Sequence, residues 1–119
     1  MDAWIQIGNI KMDTKRFQEA VDSYQKALEL NDKNLDVRVD MGTCYRNIGK
    51  PDNAVEEYRK VIALNPKHLN AHRNLGVVLA FDLKKKSEAI KEFEEYLKLA
   101  PNAPDADSAR QLVAKLKAA

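Results

Sequence analysis

The sequence predicts an all-α solenoid: three helix-turn-helix units and a closing helix. Two observations carry that expectation. Gly8, Gly42 and Gly76 recur at an interval of 34 residues, each directly after a large apolar residue, Ile7, Met41 or Leu75. Behind them run Ala20, Ala54 and Ala89, then Tyr24, Tyr58 and Phe93, then Leu30, Leu64 and Leu99, with the third member of each series one residue late. Self-similarity at such a period marks stacked supersecondary units, none of which can bury its apolar face alone.

The pattern divides a single domain, residues 1–119, into units at 1–34, 35–68 and 69–102, with a closing helix over 104–117. The second unit shows the logic most clearly. Val37, Met41, Tyr45 and Ile48 recur at steps of three and four, the period of a helix with one apolar face. Gly49 interrupts that pattern, and Pro51 stands where a second helix can start, since its missing N–H costs nothing in the first turn. Ala54, Val55, Tyr58, Val61 and Ile62 then form a second stripe that stops before Asn65-Pro66. Pro66 and Pro101 close the second and third units, where the first has Asp32. The extra residue of the third unit is expected near 84–86, in the run Lys84-Lys85-Lys86. Small residues at the Gly and Ala positions should let paired helices approach, with the aromatics filling the space beside them. In the closing helix Ala109, Leu112, Val113 and Leu116 make one apolar stripe, and Arg110, Lys115 and Lys117 face away. A half-polar helix of that kind hides the last face of a stack.

Bulk numbers narrow the class. Of 119 residues, 45% are hydrophobic and 32% charged, which suits a folded chain rather than a disordered one. Twenty basic and eighteen acidic side chains leave +2, too small an excess to predict nucleic-acid binding. Cys44 is the lone cysteine, so no internal disulfide forms. No apolar run approaches the roughly 18–20 residues of a membrane span, and no signal-peptide pattern opens the chain, so a soluble segment without membrane insertion is expected, the cytoplasm favoured and an anchor or targeting segment on a longer parent protein left open. The first residue falls at the first position of a unit, and the chain reads as a segment of a longer array.

The order Trp4, Ile7, Gly8, Ala20, Tyr24, Ala27 resembles the tetratricopeptide repeat pattern, a 34-residue helix-turn-helix unit. The resemblance covers residues 1–101 and recurs three times in phase. Lys11 stands in place of the usual aromatic, Arg38 and His72 in place of the usual Trp, and Lys15 in place of a turn glycine. It implies a right-handed superhelix whose first helices line a concave, protein-binding surface. One subclass of the family grips the terminal carboxylate of an acidic chaperone tail with a Lys/Asn/Asn/Lys/Arg clamp. The matching positions here are Ile5, Asn9, Asp40, Asn70 and Asn74, of which Asn9 alone agrees, so the sequence predicts that this is not a carboxylate-clamp chaperone-tail binder.

Signatures of catalysis are missing. There is no Gly-rich phosphate loop, G-x-S-x-G elbow, H-E-x-x-H or paired Cys ligand set, so no enzyme activity, cofactor or metal is expected. His68 and His72 have the spacing of a two-histidine site, but His68 falls in a turn and a third ligand is lacking. Glu56 with Lys60 and Glu94 with Lys98 read as ion pairs on solvated faces. Cys44 reads as a small buried hydrophobe.

The working surface should therefore be the face shared by the first helices. Asp36, Val39, Thr43 and Arg46 run off the core stripe of unit two, with Asn47 at the edge. Asp2, Ile5, Asn9 and Met12 correspond in unit one, and Asn70, Arg73, Val77 and Ala80 in unit three, flanked by Phe81. Apolar anchors beside amides and guanidiniums suit a peptide or amphipathic helix of a partner protein. Self-assembly into a homo-oligomer, through this groove or the uncapped N-terminal face around Trp4, is the alternative.

Overall fold

The computed structural model describes residues 3–118, so Asp2 lies outside the described residues. Seven helices follow one another: α1 (Ala3–Asp13), α2 (Phe17–Leu30), α3 (Leu35–Asn47), α4 (Pro51–Leu64), α5 (Leu69–Val77), α6 (Lys86–Leu99) and α7 (Ala106–Ala118). Consecutive helices pack against each other, α1 on α2, α3 on α4 and α5 on α6, and α7 closes on α6. The stack is all-α, as the periodicity requires.

Each helix pair closes on one steric fit. A Cβ added at Gly42 would lie 2.8 Å from a ring carbon of Tyr58, one at Gly8 2.5 Å from Tyr24, and one at Gly76 2.9 Å from Phe93. The three rings are almost wholly buried, so they cannot swing aside. Beside them Ala20, Ala54 and Ala89 are sealed from solvent. Two apolar clusters result. Val21, Tyr24, Leu28, Val37, Met41 and Cys44 form one around α2 and α3, whereas Tyr58, Val61, Leu75, Leu79, Phe93 and Val113 form the other toward α7. Half-buried Tyr45 packs against both. Cys44 is fully buried, and burial first, then the charge of Asp40, pushes its thiol up to about 11.

Starts and stops follow local chemistry. The Asn34 side chain accepts from Val37 N at 3.2 Å and caps α3. His68 does the same for α5, its Nδ1 accepting from Ala71 N at 3.2 Å while Nε2 lies 3.1 Å from Asp36. Pro51 occupies the first turn of α4. The turns inside the three pairs have the same length and pivot on a residue of positive φ: Lys15 at 62°, Gly49 at 79° and Lys84 at 57°. Only Gly49 adopts that conformation without a side-chain penalty.

The extra residue of the third unit, expected near 84–86, is absorbed earlier. After Arg16 N to Lys11 O (2.7 Å) and Lys50 N to Tyr45 O (2.9 Å), both reaching five residues back, Lys85 N reaches six back to Leu79 O (2.7 Å). The helix of α5 continues as a π turn over Val78–Asp82, with Leu83 N donating to Val78 O at 3.0 Å. Keeping the turn short leaves the wider helical coil as the place for one more residue.

The two positions that depart from the usual Trp are rebuilt as matching polar staples. Arg38 donates to Glu57 Oε1 at 2.9 Å and to the Asp32 carbonyl at 3.1 Å. His72, one period on, sets Nδ1 2.8 Å from Glu92 and Nε2 2.6 Å from the Pro66 carbonyl. Each staple ties the first helix of its unit to the second and to the preceding loop. In unit one Trp4 keeps the position, with Lys26 Nζ 4.4 Å from its ring centroid.

Gly42→Ala tests the steric fit. Helix propensity favours Ala by about 1 kcal/mol, but forcing a methyl into a closed ring contact costs about 1–3 kcal/mol. A net loss of stability is expected in urea unfolding, and restoring space with Tyr58→Leu in the same chain should recover part of it.

Candidate functional site

The groove residues expected from the sequence lie on α1, α3 and α5, with Ala80 and Phe81 in the π turn that follows. Ile5 and Met12 of α1 are half-buried against the first cluster, Asn9 is exposed, and Asp36, Asn47 and Asn70 project into solvent. Thr43, Arg46, Arg73 and Val77 are half-buried, and Phe81 is half exposed. Two small cavities run along this face and share Val77. One, about 50 Å³, lies between α3 and α5 and is lined by Thr43, Arg46, Tyr58, Asn74, Val77 and Val78. The other, about 150 Å³, lies between α5 and α7, with Val77, Phe93, Ala109 and Leu112 as apolar walls and Arg73, Asp105 and Ser108 as its polar rim.

Val39 is not part of that surface. At 5% exposure it belongs to the second cluster, which also holds Ala71 and Leu75 of α5. Ala80 is likewise buried. The two arginines are also less available than their sequence positions suggest. Arg46 makes a two-pronged pair with Asp82, Nε to Oδ2 at 2.6 Å and Nη2 to Oδ1 at 3.2 Å. Arg73 Nη1 lies 3.1 Å from Asp105, which also accepts from the Tyr96 hydroxyl. That hydroxyl and then Arg73 hold the Asp105 carboxyl below the ordinary carboxylate range. Both acids sit more than thirty residues from their arginines, so no local spacing in the sequence announces the pairs.

The polar residues at two groove positions have an internal partner. The Tyr24 hydroxyl donates to Asn9 Oδ1 at 2.6 Å, and Thr43 Oγ1 lies 2.9 Å from the Tyr58 hydroxyl. In the third unit the ring is Phe93, which has no hydroxyl, and the matching residue is Val77. A hydroxyl pushed into the base of the groove needs a partner, and where the ring lacks one the groove position is apolar. Asn47 donates to the Thr43 carbonyl at 2.9 Å. Asp40, half-buried on α3, has its carboxyl raised above the usual range, by burial first and then by Asp36. Both histidines are committed to the capping and stapling contacts above, and among the described residues no group of three or more His, Cys, Asp and Glu could hold a metal ion. No described helix is long and apolar enough to cross a membrane.

Sequence comparison decides the family. The pattern described as Tetratricopeptide repeat matches residues 39–104, more than half of the chain, and a second of the same description matches residues 2–34. The chain belongs to the tetratricopeptide repeat family. Comparison with curated proteins gives no match. Among solved structures, the first tetratricopeptide repeat domain of Spaghetti (RPAP3), bound to the HSP90 peptide SRMEEVD, is 25% identical and superposes with a TM-score of 0.87 over 98% of this chain and 91% of that one. The Arabidopsis OM64 domain is 22% identical, with a TM-score of 0.85 over 94% and 92% of the two chains. The second domain of human RPAP3, in complex with the HSP70 peptide SGPTIEEVD, is 23% identical, with a TM-score of 0.84 over 97% and 92%. The last two establish the shared fold.

The expectation that this tetratricopeptide repeat chain is not a carboxylate-clamp chaperone-tail binder is overturned by the likeness to a domain holding the HSP90 peptide. Amides of Asn9, Asn70 and Asn74 and two guanidiniums remain along the groove as hydrogen-bond donors.

The hydroxyl pairing is testable by a double-mutant cycle. Thr43→Val alone should destabilise by about 1 kcal/mol, because the Tyr58 hydroxyl loses its partner, whereas Tyr58→Phe should cost less, because Thr43 keeps its 3.2 Å bond to the Val39 carbonyl. The double variant, which copies the Phe93 and Val77 arrangement, should come close to the parent in urea unfolding. A double variant as unstable as the sum of its parts would contradict the pairing.

Proposed function

We propose that the concave face of α1, α3, α5 and α7 binds a peptide segment of a partner protein and that the domain acts as a non-catalytic interaction scaffold. The observation that carries this reading is the pair of cavities meeting at Val77, with apolar walls and a rim of amides and paired charges. Apolar sockets inside a polar rim suit a peptide that supplies apolar anchors and main-chain hydrogen bonds. The surface residues of this reading are Ile5, Asn9, Met12, Asp36, Thr43, Arg46, Asn47, Asn70, Arg73, Val77 and Phe81. The HSP90 peptide held by the Spaghetti domain gives a first ligand to try.

Calorimetric titration with SRMEEVD, followed by amide chemical-shift mapping, tests the reading. Shifts are expected on α1, α3 and α5, and Val77→Asp should weaken binding at least tenfold by placing a charge between two apolar sockets. Shifts confined to the outer faces of α2, α4 and α6, or unchanged affinity in the variant, would remove the groove from consideration.

A second reading has its own support. Ile7 and Ile10 of α1 are 39% and 61% exposed, whereas the residues one period on, Met41 and Cys44, and two periods on, Leu75 and Val78, are buried against neighbouring helices. The α1 face thus has the character of a helix-packing surface and offers a contact for a second copy. Sedimentation at rising concentration should show reversible self-association that Ile10→Lys abolishes; a strict monomer ends this reading.

A further inference from the structure

The geometry points to the π turn Val78–Asp82 as a device that adds a charge-balanced recognition patch, Phe81 with the Arg46–Asp82 pair and Asn47, to the far rim of the groove. This rests on the groove reading and names what its rim would take: an uncharged stretch of peptide presenting one apolar side chain.

Four observations converge. Phe81 lies four residues beyond Val77, which lines both cavities, and directly before Asp82, which lines the open cavity at the rim. It is 50% exposed, while every other aromatic ring among the described residues is buried or half-buried. Asp82, the last residue of the turn, pairs with Arg46, and the two-pronged contact ties the rim to α3. Beside that pair an open cavity of about 580 Å³ is lined by Arg46, Asn47, Gly49, Pro51 and Asp82.

The charges at this rim cancel, so a charged side chain gains little there. What remains unused is a matched set of peptide-binding groups. Arg46 spends Nε and Nη2 on Asp82 and leaves Nη1 as a donor. Asn47 spends Nδ2 on the Thr43 carbonyl and leaves Oδ1 as an acceptor. One donor and one acceptor suit the C=O and N–H of a peptide backbone, and the half-exposed ring of Phe81 supplies a flat apolar contact for the adjoining side chain. Helical segments of π geometry are uncommon and concentrate where a side chain is re-aimed for function. Units one and two, with no extra residue, place Met12-Asp13 and Arg46-Asn47 at this level and offer no exposed ring.

A phage-displayed library of random twelve-residue peptides, selected against the whole chain, tests the assignment. Two variants are selected in parallel: Phe81→Ser, which alters only an exposed side chain, and deletion of Ala80, which restores a regular helical repeat. Circular dichroism establishes that each is folded, and if the deletion unfolds, Phe81→Ser carries the test. The expected result is a motif with one apolar residue flanked by uncharged ones, synthesised as a peptide that binds Phe81→Ser at least tenfold more weakly than the parent. A motif recovered with equal enrichment by the folded variants, or one dominated by charged residues, overturns the role of the π turn and leaves the groove reading standing. No enrichment by the parent chain fails the groove reading and this inference with it.

Discussion

A helix pair can close only as far as its bulkiest contact allows, and here that limit is set by an aromatic ring lying on a glycine. Gly8 under Tyr24, Gly42 under Tyr58 and Gly76 under Phe93 bring the two helices of each unit within the distance at which a methyl group would collide. Everything else is arranged around that approach. The alanines at the next repeat position are fully buried, and each pair is joined by a short turn with a left-handed pivot. The ring's outer edge then reaches the groove, where a tyrosine hydroxyl finds Asn9 or Thr43 and a phenylalanine finds Val77. The same contact that sets the spacing of the fold therefore helps to set the chemistry of its surface.

How much of this was legible in the sequence depended on the range of the interaction. The glycine, alanine and aromatic series repeat with the unit, so periodicity alone located the helix pairs and their packing positions. The extra residue of the third unit was visible as a delay, but a delay does not say whether a loop or a helix takes up the slack. The lysine run drew attention to 84–86, whereas backbone hydrogen bonding places the adjustment at Val78–Asp82. Arg38 and His72 looked like weak points in the pattern; each proved to be one end of a staple whose glutamate lies some twenty residues away.

The groove was harder to read for the same reason. Stepping along each first helix finds the residues on one face, yet Val39 shows that sharing a face with surface residues does not keep a side chain exposed once the next unit packs over it. Arg46 and Arg73 were visible as cations but not as partners of Asp82 and Asp105, which lie 36 and 32 residues further on, respectively. Asn9 and Thr43 share the stripe of the first helices, yet each is paired with a tyrosine hydroxyl from the second helix of its own unit. Burial and pairing between units are properties of the assembled stack, and single-helix patterns do not encode them.

Division of the interior into two apolar clusters, joined through Tyr45, bears on how the chain comes apart. Cohesion in such a stack resides in interfaces between neighbours, so opening proceeds in blocks rather than uniformly. Among the described residues the first pair is held through α2 on α3, and α1 leaves Ile7 and Ile10 exposed, whereas the third pair is held between α4 and α7. Amides of α1 should therefore exchange with solvent ahead of those of α5 in this chain, and opening of the two clusters need not be simultaneous.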